Sequence, residues 1–135
     1  MNIAINGYGR IGRCILRALY ESDRAAQIKI VGINELYGIE SLAHLTRFDS
    51  THGTFGREVI IDGDHLLIDG DRIRILNEPD LSRLPWRELE VDVVLECSGS
   101  FVERDIAARH LTAGAGRVVF SCPARADVDA TIVYG

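Results

Sequence analysis

Gly7-Tyr8-Gly9-Arg10-Ile11-Gly12 decides how the rest of the chain is read. It has the G-x-G-x-x-G spacing, in which each glycine has its own task. Gly7 permits a tight turn, Gly9 removes a Cβ where an anion must approach the backbone, and Gly12 lets a helix pack close to a strand. Alone, the six letters describe only a tight turn before a helix; their surroundings give them meaning. Residues 2–6 form a short apolar run upstream, and Ile11, Ile15, Leu16 and Leu19 recur downstream at helical spacing as far as about Glu21. Ser22-Asp23-Arg24 breaks that helix, and residues 28–34 make a second apolar strand. A right-handed crossover then puts the two strands parallel in one sheet. The N–H groups of Arg10 and Ile11 point outward from the helix N-terminus, where the dipole favours a phosphate. The whole unit reads as a dinucleotide-binding turn.

Residues 38–48 predict a shorter helix through Leu42, Ala43 and Leu45, followed by the polar loop Asp49-Ser50-Thr51-His52-Gly53. Residues 58–61, 65–68 and 72–76 are strand-like, and Asp62-Gly63-Asp64 and Asp69-Gly70-Asp71 between them are natural tight turns. This stretch predicts an antiparallel insertion into the parallel pattern. Pro79 and Pro85 punctuate the next loop, with one helical turn within residues 84–89. Residues 91–97 form a strongly apolar strand ending at Ser98-Gly99; residues 103–113 carry a helix that Gly114 stops; residues 117–121 and 131–134 read as strands. The class is α/β: a Rossmann-type, doubly wound, mostly parallel sheet with a small antiparallel insertion. A last apolar strand without a following helix predicts that residues 1–135 are a cofactor domain cut from a larger protein.

Composition narrows the partners. The chain is 47% apolar and 26% charged with a net charge of −5, which suits an ordinary globule and disfavours a nucleic-acid surface. No apolar stretch has the length of a membrane span or the form of a secretory leader, so a cytosolic address with no membrane partner is expected. Cys14, Cys97 and Cys122 form no CxxC pair, and the histidines are not spaced as metal ligands, so neither a disulfide scaffold nor a metal site is expected. Cys14 falls in the first helix and Cys97 in a strand; Cys122 alone approaches the sheet edge, and none has a histidine close in sequence to activate it. No catalytic residue is therefore expected in this chain. His44, His65 and His110 read as surface or packing residues, and His52 as a residue that holds its loop or faces a partner subunit.

Glu35 closes the second strand about 20 residues beyond the glycine loop, where a carboxylate can accept hydrogen bonds from an adenosine ribose. It would repel a 2′-phosphate, which favours NAD over NADP; the plainer reading is a solvated acid at a strand end. Ser98, Gly99 and Ser121 follow later strands and fall at the same sheet edge, where open α/β sheets bind ligands. Gly99 fits either a close passage for a cofactor or an ordinary strand-end turn.

The residues also resemble a family. Ile5-Asn6-Gly7-Tyr8-Gly9-Arg10-Ile11-Gly12-Arg13, Arg17-Ala18-Leu19-Tyr20-Glu21-Ser22, Ile33-Asn34-Glu35-Leu36, Phe48-Asp49-Ser50-Thr51-His52-Gly53 and Leu84-Pro85-Trp86-Arg87-Glu88-Leu89 are similar, in order, to the N-terminal cofactor domain of the glyceraldehyde-3-phosphate dehydrogenase superfamily. Within it, Glu35 resembles the erythrose-4-phosphate branch, since much of the glyceraldehyde-3-phosphate branch has aspartate there. The resemblance implies that Arg10 and Ile11 bind the pyrophosphate of NAD, Asn34 and Glu35 the adenosine end, and Ser98, Gly99 and Ser121 the stretch toward nicotinamide. Pro79 stands where the family often has an arginine near adenine, so that contact is lost or replaced. Ser98-Gly99 stands for the family's Thr-Gly and keeps a hydroxyl.

The resemblance further implies a catalytic cysteine and its histidine in a segment after this domain. For the longer enzyme it implies an aldose-phosphate substrate, a thiohemiacetal from which hydride passes to NAD, and a homotetramer. This chain alone is then expected to be inactive. The alternatives are a phosphorylating glyceraldehyde-3-phosphate dehydrogenase and a non-catalytic NAD-binding module.

Overall fold

The first strand, β1 (Asn2–Asn6), turns Ile3 and Ile5 into one core and Ala4 into another, and all three are buried. A strand buried on both faces needs a layer on each. The computed structural model, which describes residues 1–100 and 103–133, supplies both. Ile3 and Ile5 pack with Leu16 and Tyr20 of α1 (Arg10–Glu21) and with Leu42 and Ala43 of α2 (Ile39–Arg47). Ala4 packs with Leu81, Trp86, Val94 and Ile106, the last from α3 (Arg104–Thr112).

The main sheet adds β2 (Lys29–Asn34), β5 (Val59–Asp62), β6 (His65–Ile68), β7 (Asp71–Leu76), β8 (Val93–Glu96) and β9 (Arg117–Phe120), in the order β5-β6-β7-β2-β1-β8-β9. From β7 to β9 every pairing is parallel, and β5 and β6 extend the β7 edge antiparallel. The Rossmann-type reading therefore stands. The antiparallel segment lies in the same sheet, because β7 pairs with β6 on one side and β2 on the other. Tight turns with positive φ at Gly63, Asp69 and Gly70 make this meander.

Two local readings change and one is refined. The 49–53 loop holds a two-residue antiparallel pair, β3 (Phe48–Asp49) with β4 (Gly53–Thr54). Asp49 Oδ1 closes it by accepting from the N–H groups of His52 at 2.7 Å and Thr51 at 2.8 Å, and these bonds hold its carboxyl down at about 2. His52, with Nδ1 3.2 Å from the same oxygen, belongs to the loop's own structure. The turn in residues 84–89 is there as one N–H of Leu89 to Pro85 O bond at 3.0 Å, preceded by a short 3-10 turn, Leu81–Arg83. Residues 131–133 form no strand, and Tyr134 lies outside the described residues. Ile132 and Val133 are 89% and 87% exposed; an apolar run becomes a strand only where a neighbour pairs with it.

Arg17 ties the α2 layer together. It is buried on α1, and its Nη2 donates to Gly53 O at 2.8 Å, Thr46 O at 3.1 Å and Arg47 O at 3.3 Å, while its guanidinium lies over Phe55. A cation on the last carbonyls of a helix is favoured by the helix dipole, so Arg17 fastens both the α2 C-terminus and the β3–β4 pair.

Candidate functional site

The chain leaves β1 for β2 on one side and returns to β8 on the other, so strand order reverses at β1. Loops diverge at such a reversal and leave a crevice at the C-terminal ends of the strands. A cleft of about 580 Å³ opens there. Its walls include Asn6 and Gly7 after β1, Asn34 and Glu35 after β2, Glu78 and Pro79 beyond β7, and Cys97 and Ser98 after β8.

The three glycines of the loop separate by what surrounds them. Gly7 has φ 90, and a Cβ there would stand 2.5 Å from both Cα and N of Ser98. A Cβ on Gly12 would stand 2.5 Å from Gly7 O and 3.2 Å from Ile5 Cγ2. Both are required by the protein itself. Gly9 has an ordinary φ of −77, and among the described residues nothing lies within 4 Å of where its Cβ would be. It borders the cleft, so the space it leaves open is space for a ligand. Next to it, α1 begins with no side-chain cap and no acid in its first turn, and Arg10 and Ile11 are exposed. The uncapped N–H groups of that turn suit an anion.

Glu35 is clamped from the main chain. Its Oε2 accepts from Tyr8 N at 2.8 Å and its Oε1 from Leu36 N at 2.7 Å. Each oxygen keeps a lone pair for a further donor, as a ribose hydroxyl requires. Asn34 donates through Nδ2 to Asn6 Oδ1 at 2.7 Å and Glu78 O at 3.0 Å, and its Oδ1 accepts from Glu78 N at 2.9 Å. It thereby holds the Glu78-Pro79 wall in place.

Gly7, Gly9, Asn34, Glu35 and Ser98 meet on the cleft, with Arg10, Ile11 and Gly12 at the adjoining helix start. Gly99 and Ser121 are exposed and are not among its walls. Gly99 turns the chain with φ 72, and Ser121 N donates to Glu96 O at 3.0 Å. Cys97 lies one residue past β8, and burial pushes its thiol up, which makes it a poor thiolate. Among the described residues no group of His, Cys, Asp and Glu could hold a metal ion, and no helix is long and apolar enough to cross a membrane.

Beneath the cleft runs a buried polar chain that the sequence reading missed. Glu96 accepts from Asn6 Nδ2 at 2.7 Å, His110 Nε2 at 2.8 Å, Ser98 N at 3.0 Å and Ser98 Oγ at 2.6 Å. Trp86 Nε1 donates to His110 Nδ1 at 3.0 Å. Burial raises the affinity of the Glu96 carboxyl for a proton, but the bonds from His110, Ser98 and Asn6 outweigh it and hold its pKa below the usual value. One signal was present: His110 follows Ile106 at the spacing that faces a core, and Asn6 and Glu96 each end an apolar strand.

A glycine-turned βαβ unit, a cleft at the strand reversal and a carboxylate after the second strand define a dinucleotide-binding domain. The family model described as glyceraldehyde 3-phosphate dehydrogenase, NAD binding domain, matches residues 1–104, and the chain belongs to that family. Its cofactor is NAD, and its function is that of the NAD-binding domain of a dehydrogenase.

Proposed function

We propose that this chain is the cofactor-holding domain of an NAD-dependent aldose-phosphate dehydrogenase of the erythrose-4-phosphate kind, with bond chemistry carried by a catalytic segment these 135 residues do not contain. The observation that carries the reading is Glu35 at the cleft. Its side chain reaches back to the loop N–H of Tyr8, and a glutamate there resembles the erythrose-4-phosphate branch. Arg10 and Ile11 offer N–H groups to the pyrophosphate, Glu35 accepts from the adenosine ribose, and Ser98 stands toward nicotinamide. NAD, when bound, supplies the hydride acceptor; the residues here bind and orient it. The same resemblance carries a homotetramer for the longer enzyme, which sedimentation of that enzyme would show.

Glu35 also sets the choice of cofactor. A 2′-phosphate would bring like charge against a carboxylate already fixed by two N–H groups, so NAD should bind in preference to NADP, and Glu35→Ser should narrow the gap. Titration of both cofactors into both proteins checks this, and equal affinities in the wild type would remove the role of Glu35.

For the reaction, this domain alone should oxidise neither erythrose 4-phosphate nor glyceraldehyde 3-phosphate. A chain that joins it to the family's catalytic segment should oxidise erythrose 4-phosphate with the higher kcat/KM. NADH absorbance reads both. A higher kcat/KM for glyceraldehyde 3-phosphate would overturn the substrate, and turnover by the domain that Cys122→Ser abolishes would overturn the division of labour.

A further inference from the structure

The polarity of the buried chain is fixed at both ends. An indole N–H only donates and a carboxylate only accepts. The Trp86 bond therefore makes His110 Nδ1 an acceptor, the ring proton sits on Nε2, and Nε2 donates to Glu96 Oε2. His110 is fully buried and held in one neutral tautomer. At the other carboxylate oxygen, Oε1, the 2.6 Å contact to Ser98 Oγ has the hydroxyl as its donor. With Asn6 Nδ2 and Ser98 N, four donors fill the roughly four acceptor positions of the carboxylate. Glu96 has nothing left with which to touch a ligand, and Ser98 has given up its only side-chain proton.

We infer that Glu96 is a positioning residue for the cofactor: by taking the hydroxyl proton of Ser98, it makes that cleft wall a hydrogen-bond acceptor for the donors of the nicotinamide riboside half, its ribose hydroxyls and carboxamide NH2. This rests on the reading that Ser98 stands toward the nicotinamide end of NAD. Trp86 and His110 act one step further back, since they keep a donor on Oε2 and leave Oε1 to Ser98.

Glu96→Gln separates this from a general loss of structure. The new NH2 cannot sit at the Oε2 position, where His110 Nε2–H and Asn6 Nδ2–H are both held by their other partners. Toward Ser98 it meets one fixed donor, the Ser98 N–H, instead of two, and a hydroxyl that can turn, so it sits there. The proton of Ser98 then swings into the cleft, and an acceptor becomes a donor. Isothermal titration of the full chain with NAD and with ADP, which lacks the nicotinamide riboside, reads the result. Glu96→Gln should weaken NAD at least about tenfold and leave ADP within about twofold. In a Ser98→Ala background, Glu96→Gln should cost NAD affinity no further, because the effect passes through the hydroxyl. Equal losses for NAD and ADP, an unchanged NAD affinity, or an undiminished loss in the Ser98→Ala background would each overturn the proposal. If Glu96→Gln does not fold, Ser98→Ala and Ser98→Thr decide. Loss of NAD affinity in the first with retention in the second supports it, and wild-type affinity in the first overturns it. A wild type that binds ADP but gains nothing from the nicotinamide half would overturn the placement of Ser98 and this proposal with it; a wild type that binds neither would overturn the cofactor reading itself.

Discussion

Gly7→Ala is expected to destabilise the domain by about 3 kcal/mol or more, whereas Gly9→Ala, two residues away, leaves stability within about 0.5 kcal/mol and weakens NAD binding at least about tenfold. The difference follows from what each new methyl meets. At Gly7 the backbone has φ 90, which an L-residue rarely adopts, and the Cβ would fall 2.5 Å from backbone atoms of Ser98, which have no rotamer to yield. The strand end after β8 has to move, and one wall of the cleft moves with it. At Gly9 the Cβ enters open space beside the uncapped start of α1. Among the described residues nothing resists it, so the expected loss comes from the arriving pyrophosphate. Urea unfolding with NAD titration reads both. A Gly7→Ala protein as stable as wild type, or a folded Gly9→Ala protein with undiminished affinity, would remove the corresponding role.

His110→Ala should cost about 3–5 kcal/mol, because it removes a buried donor to an ionised carboxylate and a fully buried ring together. It leaves the Trp86 indole N–H without its acceptor, takes one donor from Glu96, and opens a cavity under β8. Leu111→Ala, one residue on at an exposed position, should cost under about 1 kcal/mol. The loss has a pH signature. The folded pKa of Glu96 is depressed, so its contribution is complete above the unfolded pKa and disappears as pH falls through the folded value. Without His110 that folded value rises, and the variant should lose stability at a higher pH than the wild type during acidification. Denaturation as a function of pH checks this; parallel curves for the two proteins would show that the pair does not carry the stability assigned to it.

Much of the cofactor end was legible because it is local. β1, the glycine loop, α1 and β2 lie side by side in sequence, and the change from a continuous apolar run to a helical period of 3.6 and back marks each boundary. Gly7 and Gly12 could be assigned on steric grounds that the coordinates repeat. The strand-end rule pointed to the edge where the cleft opens, but it does not say which residues border the cleft, and of Ser98, Gly99 and Ser121 only Ser98 does. The chain from Trp86 to Asn6 was not legible. Its members come from a loop, a helix and two strands, and no local period records that Asn6 and Glu96 are hydrogen-bonded or that a helical histidine completes the set. Residues 131–133 had the composition of a strand, but composition does not supply the neighbour a strand needs.

The pairing of β1 with β8 has a consequence for how the domain is assembled. β1 meets β2 across a short connection, whereas Ile3 must find Val93, with most of the polypeptide looped out between them. Closing so long a loop is an entropic cost that no local contact offsets until β8 docks. Ser98 lies two residues past that strand, so the cleft is complete only when the loop has closed. A molecule lying across both sides of the β1–β8 seam is therefore a clasp on a contact that closes a long loop. Mass action sets its strength at about 2.7 kcal/mol when the ligand stands at 100 times its Kd.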